Sequence, residues 1–360
     1  MIVTSFTSAS FRNLSSFSFS PHEQVNLILG ENGQGKTNLL EGIWLLTGAR
    51  SFRQAKQQEM VAFGSSSARL GCSVQNQKRE ITLEMTLGQE KKQAVNGVKI
   101  PKKADFTGNL TCVAFSPTHL SLVSDGPEKR RAFLDAALCQ SGRRYLDHLS
   151  MYQGYLKQKN ALLRKEMDKN MLNELLEGYD REIAKHASVL FAIRRGYIDQ
   201  LSKLAFEMYE SLSGKKEALS CQYLCGAKEE SFEGFLEELR KGREKDIFYK
   251  TSLIGPHKDD LSLLLDDKAA KVYGSQGQRR SVVLALKLAE AALMEEKTGE
   301  SPVILLDDVL SELDNKRQDH LLNHITGRQI FVTACEEQKS GVLAGGKKFF
   351  MQNGVLTELL

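Results

Sequence analysis

The chain has 360 residues and a net charge of +4, with 41% hydrophobic and 26% charged side chains. This length exceeds what one small core needs and suggests about two domains, and the composition excludes an intrinsically disordered chain. The weak positive charge permits nucleic-acid binding without requiring it.

Nothing in the sequence predicts a membrane-bound or secreted protein. No stretch approaches the roughly 18 apolar residues of a membrane span, and residues 1–20 lack a basic start followed by an apolar block. The six cysteines are scattered, and Cys221 and Cys225 have no second pair with which to complete a zinc site. We therefore expect a cytoplasmic protein with reduced thiols and no membrane partner.

Residues 1–127 show short strands and turns around one helix, which the apolar spacing of residues 37–48 predicts. Asn96-Gly97 is typical of a tight hairpin turn. Three segments have the apolar run or the alternation of a strand: 25–30, 68–74 and 81–87.

The composition changes between residues 128 and 250, where proline is absent and apolar residues recur at helical spacing among charged ones. Acidic and basic side chains nearly balance there, which favours solvated helix faces over a basic DNA clamp. We therefore expect residues 128–250 to form an inserted helical arm.

Strand patterns return after residue 250, interrupted by a predicted helix at 278–297. The apolar runs lie at 261–267, 302–308 and 329–335. Their alternation with helices predicts an α/β fold with a partly parallel sheet covered by helices. We expect residues 1–127 and 251–360 to form one domain, with the arm inserted between them.

The segment GENGQGKT follows the predicted strand 25–30 and opens the predicted helix, the context that makes a phosphate-binding P-loop specific. Glycines let the backbone wrap around phosphates, Lys36 can neutralise them, and the Thr37 hydroxyl can bind Mg²⁺. The predicted nucleotide-contacting residues are Gly30, Glu31, Asn32, Gly33, Gln34, Gly35, Lys36 and Thr37.

A second segment, which carries two carboxylates, completes this predicted site. The apolar run 303–306 ends in Asp307 and Asp308. At the carboxyl end of a buried strand, Asp307 can hold Mg²⁺ through water and Asp308 can orient or activate a water near the γ-phosphate. Together with the P-loop, this segment predicts binding of ATP with Mg²⁺, with Lys36 and Asp308 as the catalytic candidates.

The turn before the helix at 278–297 then resembles the signature motif of ABC-type ATPases, and SELD (311–314) resembles their D-loop. An ABC-type head with an inserted helical arm is the fold that this resemblance implies. In such dimers each nucleotide lies between one subunit's P-loop and the partner's signature motif, with Asp314 near the seam. The residues that match the signature are Ser275, Gln276, Gly277 and Gln278.

Four longer segments are similar to the RecF family of recombination mediators, in the right order: 116–135, 253–261, 274–290 and 305–314. FRNL (11–14) and GARSFR (48–53) also fit. Thr118-His119 stand where the family usually has an acidic pair, and Asp125 where glycine is common, so the loop before the arm departs from the pattern.

The resemblance implies a cytoplasmic protein that dimerises on ATP and binds single-stranded and gapped duplex DNA. Its expected role lies in DNA repair, replication and the SOS response, with RecR as partner and with RecO and RecA in the pathway. Hydrolysis is expected to be slow, because Asp308 stands where many ABC ATPases have the longer glutamate. Whether the chain is better described as an enzyme or as an ATP-driven switch stays open.

Other interpretations remain beside this one. An ATPase head of the chromosome-organising SMC type or of the double-strand-break type would need hundreds of heptad residues or a Cys-x-x-Cys hook in the insertion, and the sequence has neither. A transporter ATPase subunit would have a shorter insertion. Arg130, Arg131 and His257 admit structural or functional roles, with His257 favoured as a packing or hydrogen-bonding residue. The arm tyrosines Tyr152 and Tyr155 are expected in the core.

Overall fold

The computed structural model describes residues 1–214, 216–336 and 345–359. Its strands are β1 (Ile2–Ala9), β2 (Phe17–Phe19), β3 (Val25–Leu29), β4 (Ala68–Gln75), β5 (Glu80–Leu87), β6 (Lys92–Val95), β7 (Val98–Lys99), β8 (Cys112–Phe115), β9 (Leu219–Leu224), β10 (Asp260–Leu265), β11 (Lys268–Ala269), β12 (Val303–Asp307), β13 (Ile330–Ala334), β14 (Lys347–Gln352) and β15 (Val355–Leu359). Its α-helices are α1 (Lys36–Leu45), α2 (Lys103–Phe106), α3 (Ser121–Ser124), α4 (Pro127–Ser141), α5 (Arg143–Leu162), α6 (Lys169–Ser213), α7 (Phe232–Tyr249), α8 (Ala270–Tyr273), α9 (Gln276–Thr298) and α10 (Asn315–Ile325).

The central sheet has six strands in the order β15-β14-β3-β13-β12-β8. Every neighbouring pair is parallel except the C-terminal hairpin of β14 and β15. All residues of β12 and β13 are buried, as expected for strands covered by helices on both faces. The partly parallel sheet predicted from the apolar runs is therefore present.

A second sheet, antiparallel and in the order β2-β1-β4-β5-β6-β7, lies over α1. Apolar side chains of α1 and of this sheet form one buried cluster that also takes in the near face of the central sheet. This packing fixes α1, and with it the loop that precedes α1, between the two sheets.

Helices α4 to α7 form most of the arm, and α6 alone runs for 45 residues. The arm is not purely helical, because β9 pairs antiparallel with β10 to form a three-stranded sheet with β11. Strand β9 was not predicted from the sequence; its six residues stand between the two long helices α6 and α7. Through β9, the segment 128–250 is hydrogen-bonded to residues 260–265.

Buried charges in the arm are paired. Lys159 is fully buried, and its Nζ lies 2.8 Å from an Asp180 carboxylate oxygen and 2.7 Å from one of Asp246. Arg194, also buried, forms ion pairs with Asp135 and Asp259. These networks tie α5, α6 and α7 together and satisfy charges that would otherwise be costly to bury.

No helix in the described part of the chain is both long and apolar enough to cross a membrane.

Candidate nucleotide-binding site

The loop between β3 and α1 requires glycine at two positions. Gly30 and Gly35 have φ of 151° and 118°, a region that other residues rarely adopt. A Cβ on Gly30 would lie 2.3 Å from the Met351 carbonyl oxygen, and one on Gly35 would lie 2.9 Å from a Leu14 methyl carbon. The backbone therefore turns tightly here, directly into the N-terminus of α1.

Lys36, the first residue of α1, is buried, and no carboxylate in the described part of the chain pairs with it. Its side chain is 4% exposed, and Nζ donates to the carbonyl oxygens of Gly30 at 2.7 Å and Glu31 at 3.1 Å. The Cys335 sulfur lies 3.7 Å away. Among the described residues no acidic side chain lies within ion-pair distance of this ammonium, so it remains available to an anion.

Thr37 and Asp307 meet across the site. The Thr37 hydroxyl donates to Asp307 Oδ1 at 2.8 Å, and the Thr333 hydroxyl lies 3.2 Å from the same oxygen. Asp307 is 7% exposed, and burial raises the pKa of its carboxyl group. No cationic group within the described part of the chain lies within ion-pair distance of it. A hydroxyl and an unpaired carboxylate are ligands that suit Mg²⁺.

Asp308 adopts φ of 51°, in the left-handed region that aspartate enters more readily than most residues other than glycine. Its backbone N–H donates to the Thr333 hydroxyl at 2.9 Å, and its carbonyl accepts from Ser311 at 2.8 Å. A cavity of about 480 Å³ opens beside it; the lining residues are Asn32, Asp308, Ser311, Glu312, Thr333, Ala334, Cys335 and Glu336. The turn therefore presents Asp308 to an open space at the carboxyl end of β12.

In the described ranges, no group of three or more His, Cys, Asp and Glu side chains is arranged to hold a metal ion by itself. A Mg²⁺ ion at Thr37 and Asp307 would therefore depend on oxygens of the nucleotide and on water, which is the usual way that Mg²⁺ is bound beside phosphates.

The signature-like turn caps α9. The Ser275 hydroxyl accepts from the Gln278 N–H at 3.2 Å, and Gln278 Oε1 accepts from the Ser275 N–H at 2.6 Å. Gln278 also donates to Glu217, which accepts from Tyr209 of α6 at 2.8 Å. Between 275–278 and the P-loop the described residues form no hydrogen bond, and Ser275 is exposed. Within one chain these two predicted half-sites are separate.

Asp314 caps α10 by accepting from the Arg317 N–H at 3.0 Å, and it is ion-paired with the Arg317 side chain. That guanidinium reaches α9, where it donates to the Ser281 hydroxyl at 2.8 Å and to the Gly277 carbonyl at 3.4 Å. Asp314 is thereby linked to the signature-like turn, a connection that its sequence position alone does not predict.

Glu41 was not among the site residues predicted from the sequence. This residue is completely buried in α1, where it accepts from both Arg12 and Ser51 and forms an ion pair with Arg12 at 2.5 Å. The only sequence signal was a carboxylate among the apolar residues of a short helix. Glu41 connects the segments 11–14 and 48–53 to α1, the helix that follows the P-loop.

Arg130, Arg131 and His257 have structural contacts. Arg130 forms two hydrogen bonds with Asp260, at 2.7 and 3.0 Å, and Arg131 donates to the Asp259 carbonyl at 2.7 Å. Both therefore join α4 to the start of β10.

His257 lies between the Tyr152 hydroxyl at 2.5 Å and the Ser252 carbonyl at 3.0 Å. Burial lowers the pKa of its imidazole to about 4. These contacts confirm the packing and hydrogen-bonding role expected for His257. Tyr152 is buried and Tyr155 is packed against the same core, as also expected.

A P-loop between two sheets, an Asp-Asp strand end and an arm that leads back to a capped signature-like helix define the head fold of the SMC and RecF type. A family model described as RecF/RecN/SMC N terminal domain matches residues 2–356. The chain belongs to the RecF family.

Curated relatives named DNA replication and repair protein RecF support this assignment. The protein of Lachnoclostridium phytofermentans is 36% identical over 92% of both chains, and that of Ligilactobacillus salivarius is 36% identical over 97% of this chain and 95% of its own. A solved structure described as the recombination mediator protein RecF-ATP in the RecFOR pathway has a TM-score of 0.91 at 32% identity, covering 100% of this chain and 98% of the other. An Smc head bound to a ScpA domain, with a TM-score of 0.56 at 13% identity and coverage of 100% and 97%, shares the fold alone.

Proposed function

We propose that this chain is an ATP-dependent DNA-binding protein of DNA replication and repair that dimerises around two nucleotides. The observation that carries the proposal is the contact of Thr37 with Asp307 beside the unpaired Lys36. Among the described residues this buried cation and this buried carboxylate have no charged partner, and they suit a phosphate and a Mg²⁺ ion in adjacent positions. The solved RecF structure that resembles this chain is described with ATP.

In this proposal the P-loop backbone and Lys36 bind the phosphates of ATP, and Thr37 and Asp307 hold Mg²⁺. Asp308 orients or activates the attacking water from the rim of the cavity beside β12. Asp308 is one methylene shorter than the glutamate of many ABC ATPases, so its carboxylate would lie farther from that water. This difference agrees with slow hydrolysis that serves as a switch.

The signature-like turn belongs to the partner's site. Ser275 is exposed and its hydroxyl, which accepts from Gln278, can still donate its own proton to a phosphate. The N-terminus of α9 adds its positive dipole end. Ser275, Gln276, Gly277 and Gln278 would thus close over a nucleotide bound to a second copy, with Asp314 at the seam.

Residues 1–127 and 251–360 form the ATPase head in this proposal, and 128–250 form the arm. DNA, as single strands or gapped duplexes, binds mainly through its phosphates, so affinity falls as salt rises. By family membership the protein acts in the cytoplasm with RecR as its partner, and RecO and RecA act in the same pathway. The outcome is loading of RecA at gaps and a role in the SOS response.

The test is the size of the protein with and without Mg-ATP and gapped DNA, measured by light scattering. We expect a monomer that becomes a dimer with Mg-ATP, and DNA binding that increases with the dimer. Ser275→Arg is expected to retain ATP binding by the monomer and to abolish dimer formation, because the large cation would fill the position of the partner's phosphate. A dimer unaffected by ATP, or one that persists in Ser275→Arg, would contradict the proposal.

A further inference from the structure

Two distant segments hold the P-loop from its outer side. The Gly354 N–H donates to the carbonyl oxygen of Gln34 at 3.0 Å, and the Asn353 N–H donates to the side-chain Oε1 of Gln34 at 2.6 Å. One residue earlier in the loop, the carbonyl of Gly33 accepts from the Asn13 amide at 3.1 Å. The carbonyl oxygens of two consecutive loop residues are thus engaged by side chains and backbone outside the loop.

These bonds decide where the loop's N–H groups point. In a planar trans peptide the C=O and the following N–H point in opposite directions. A Gln34 carbonyl directed towards Gly354 therefore directs the Gly35 N–H away from it, and a Gly33 carbonyl directed towards Asn13 does the same for the Gln34 N–H. Both amides lie in the part of a P-loop that surrounds phosphates.

The turn that supplies the Gly354 N–H is itself held by close contacts with residues 13–15. Asn353 and Gly354, between β14 and β15, have φ of 49° and 74°, and the Ser15 N–H donates to the Gly354 carbonyl at 2.9 Å. A Cβ on Gly354 would lie 1.9 Å from the Asn13 carbonyl oxygen. A side chain at this position would therefore push the turn away from both Asn13 and the P-loop.

We propose that the Asn353-Gly354 turn is a positioning element of the nucleotide site, which fixes the Gln34–Gly35 peptide so that its N–H points towards the phosphates. A glycine-rich loop without such a support would lose more conformational entropy when a nucleotide binds. The proposal rests on the nucleotide binding proposed above. It assigns to the C-terminal hairpin a direct influence on affinity, although no atom of the turn needs to touch the nucleotide.

The chain contains a matched control. The Asn96-Gly97 turn between β6 and β7 has nearly the same φ angles, 52° and 74°, but a Cβ on Gly97 meets no atom within 4 Å. Gly97→Ala therefore introduces the same backbone strain without disturbing a neighbour. The difference between Gly354→Ala and Gly97→Ala isolates the effect of moving the turn away from the P-loop.

The experiment is titration of the full chain with fluorescent ATP and ADP analogues in Mg²⁺, alongside thermal unfolding. We expect Gly354→Ala to lower affinity about tenfold, the value of one well-aimed hydrogen bond to a charged group. The loss should be the same for ATP and ADP, because the loop's N–H groups surround the phosphates that both share. Binding stoichiometry should stay at one per chain, and Gly97→Ala should bind like the wild type.

Equal affinities in the two variants would overturn the inference while leaving nucleotide binding intact. A wild-type chain that binds neither nucleotide would instead contradict the proposed function, and this inference with it. If Gly354→Ala does not fold, Gln34→Ala serves in its place, because it removes only the acceptor of the Asn353 N–H. A loss of a few-fold is then expected, and wild-type affinity would overturn the inference.

Discussion

The arm and the nucleotide site bury charge in opposite ways. In the arm, Lys159 is fully buried between Asp180 and Asp246, with both carboxylates within 2.8 Å of its ammonium. In the nucleotide site, Lys36 is nearly as buried but contacts carbonyl oxygens and a thiol, and Asp307 contacts two hydroxyls.

This difference separates charges that hold the fold together from charges kept for a ligand. A buried ion without a counter-ion costs free energy, and proteins usually pair it. The arm follows that rule. In the nucleotide site the Lys36 ammonium and the Asp307 carboxylate have no charged partner among the described residues, although Thr37, which contacts Asp307, is the residue next to Lys36. A bound Mg-nucleotide would supply the missing charge of each sign.

The largest expected effect is in the arm. Lys159→Met would leave Asp246 buried beside an apolar side chain, while Asp180 keeps its ion pair with Arg243, and we expect a loss of about 3–5 kcal/mol in the free energy of unfolding. Nucleotide affinity of the folded protein should not change. Chemical denaturation measures the loss, with Lys157→Met on the exposed side of the same helix as control. Equal stability of the two variants would remove the contrast between the arm and the site.

The second effect is a pH dependence from His257. Burial lowers the pKa of this imidazole to about 4 in the folded chain, below its ordinary value near 6.5. Between these values the unfolded chain binds the proton more readily, so stability falls as pH is lowered from about 6.5 to about 4, by up to about 3 kcal/mol. Denaturation across this range should show a shallower slope for His257→Gln. A slope as steep as that of the wild type would show that other groups cause it.

A smaller effect is expected at Asp307. Asp307→Asn keeps an oxygen that can accept from Thr37 but removes the unpaired charge, so the ligand-free protein should be as stable as the wild type or more so. Mg²⁺ should no longer strengthen ATP binding, because the ion has lost its charged protein ligand. We expect the affinity for ATP in the presence of Mg²⁺ to fall about tenfold. Calorimetry with and without Mg²⁺ tests this. An undiminished contribution of Mg²⁺ would place the ion elsewhere.

The parts of the molecule that the sequence predicts are those with local causes. The glycine pattern before Lys36 and the apolar strand that ends at Asp307 indicate a nucleotide site, because each pattern lies within fewer than ten consecutive residues. The cap on α9 follows in the same way from Ser275 and the Gln278 that lies three residues later.

Contacts between distant segments were not predictable. Gly354 meets Gln34 across more than 300 residues, and Glu41 is explained only by Arg12 and Ser51, which fold against it. Strand β9 also depends on a distant segment, because its short alternating pattern forms a strand only by pairing with β10. Single-sequence patterns contain no record of such pairings.

The most direct test of the contrast between paired and unpaired buried charge is the unfolding free energy of Lys36→Met, measured with and without Mg-ATP. Without ligand, the variant should lose much less stability than Lys159→Met, because it removes hydrogen bonds to the carbonyl oxygens of Gly30 and Glu31 but leaves no buried carboxylate without its cation. Saturating Mg-ATP should stabilise the wild type by about 3–4 kcal/mol at 100 to 1,000 times its dissociation constant and leave the variant unchanged. A ligand-free variant that loses as much stability as Lys159→Met, or one that Mg-ATP still stabilises, would contradict the account.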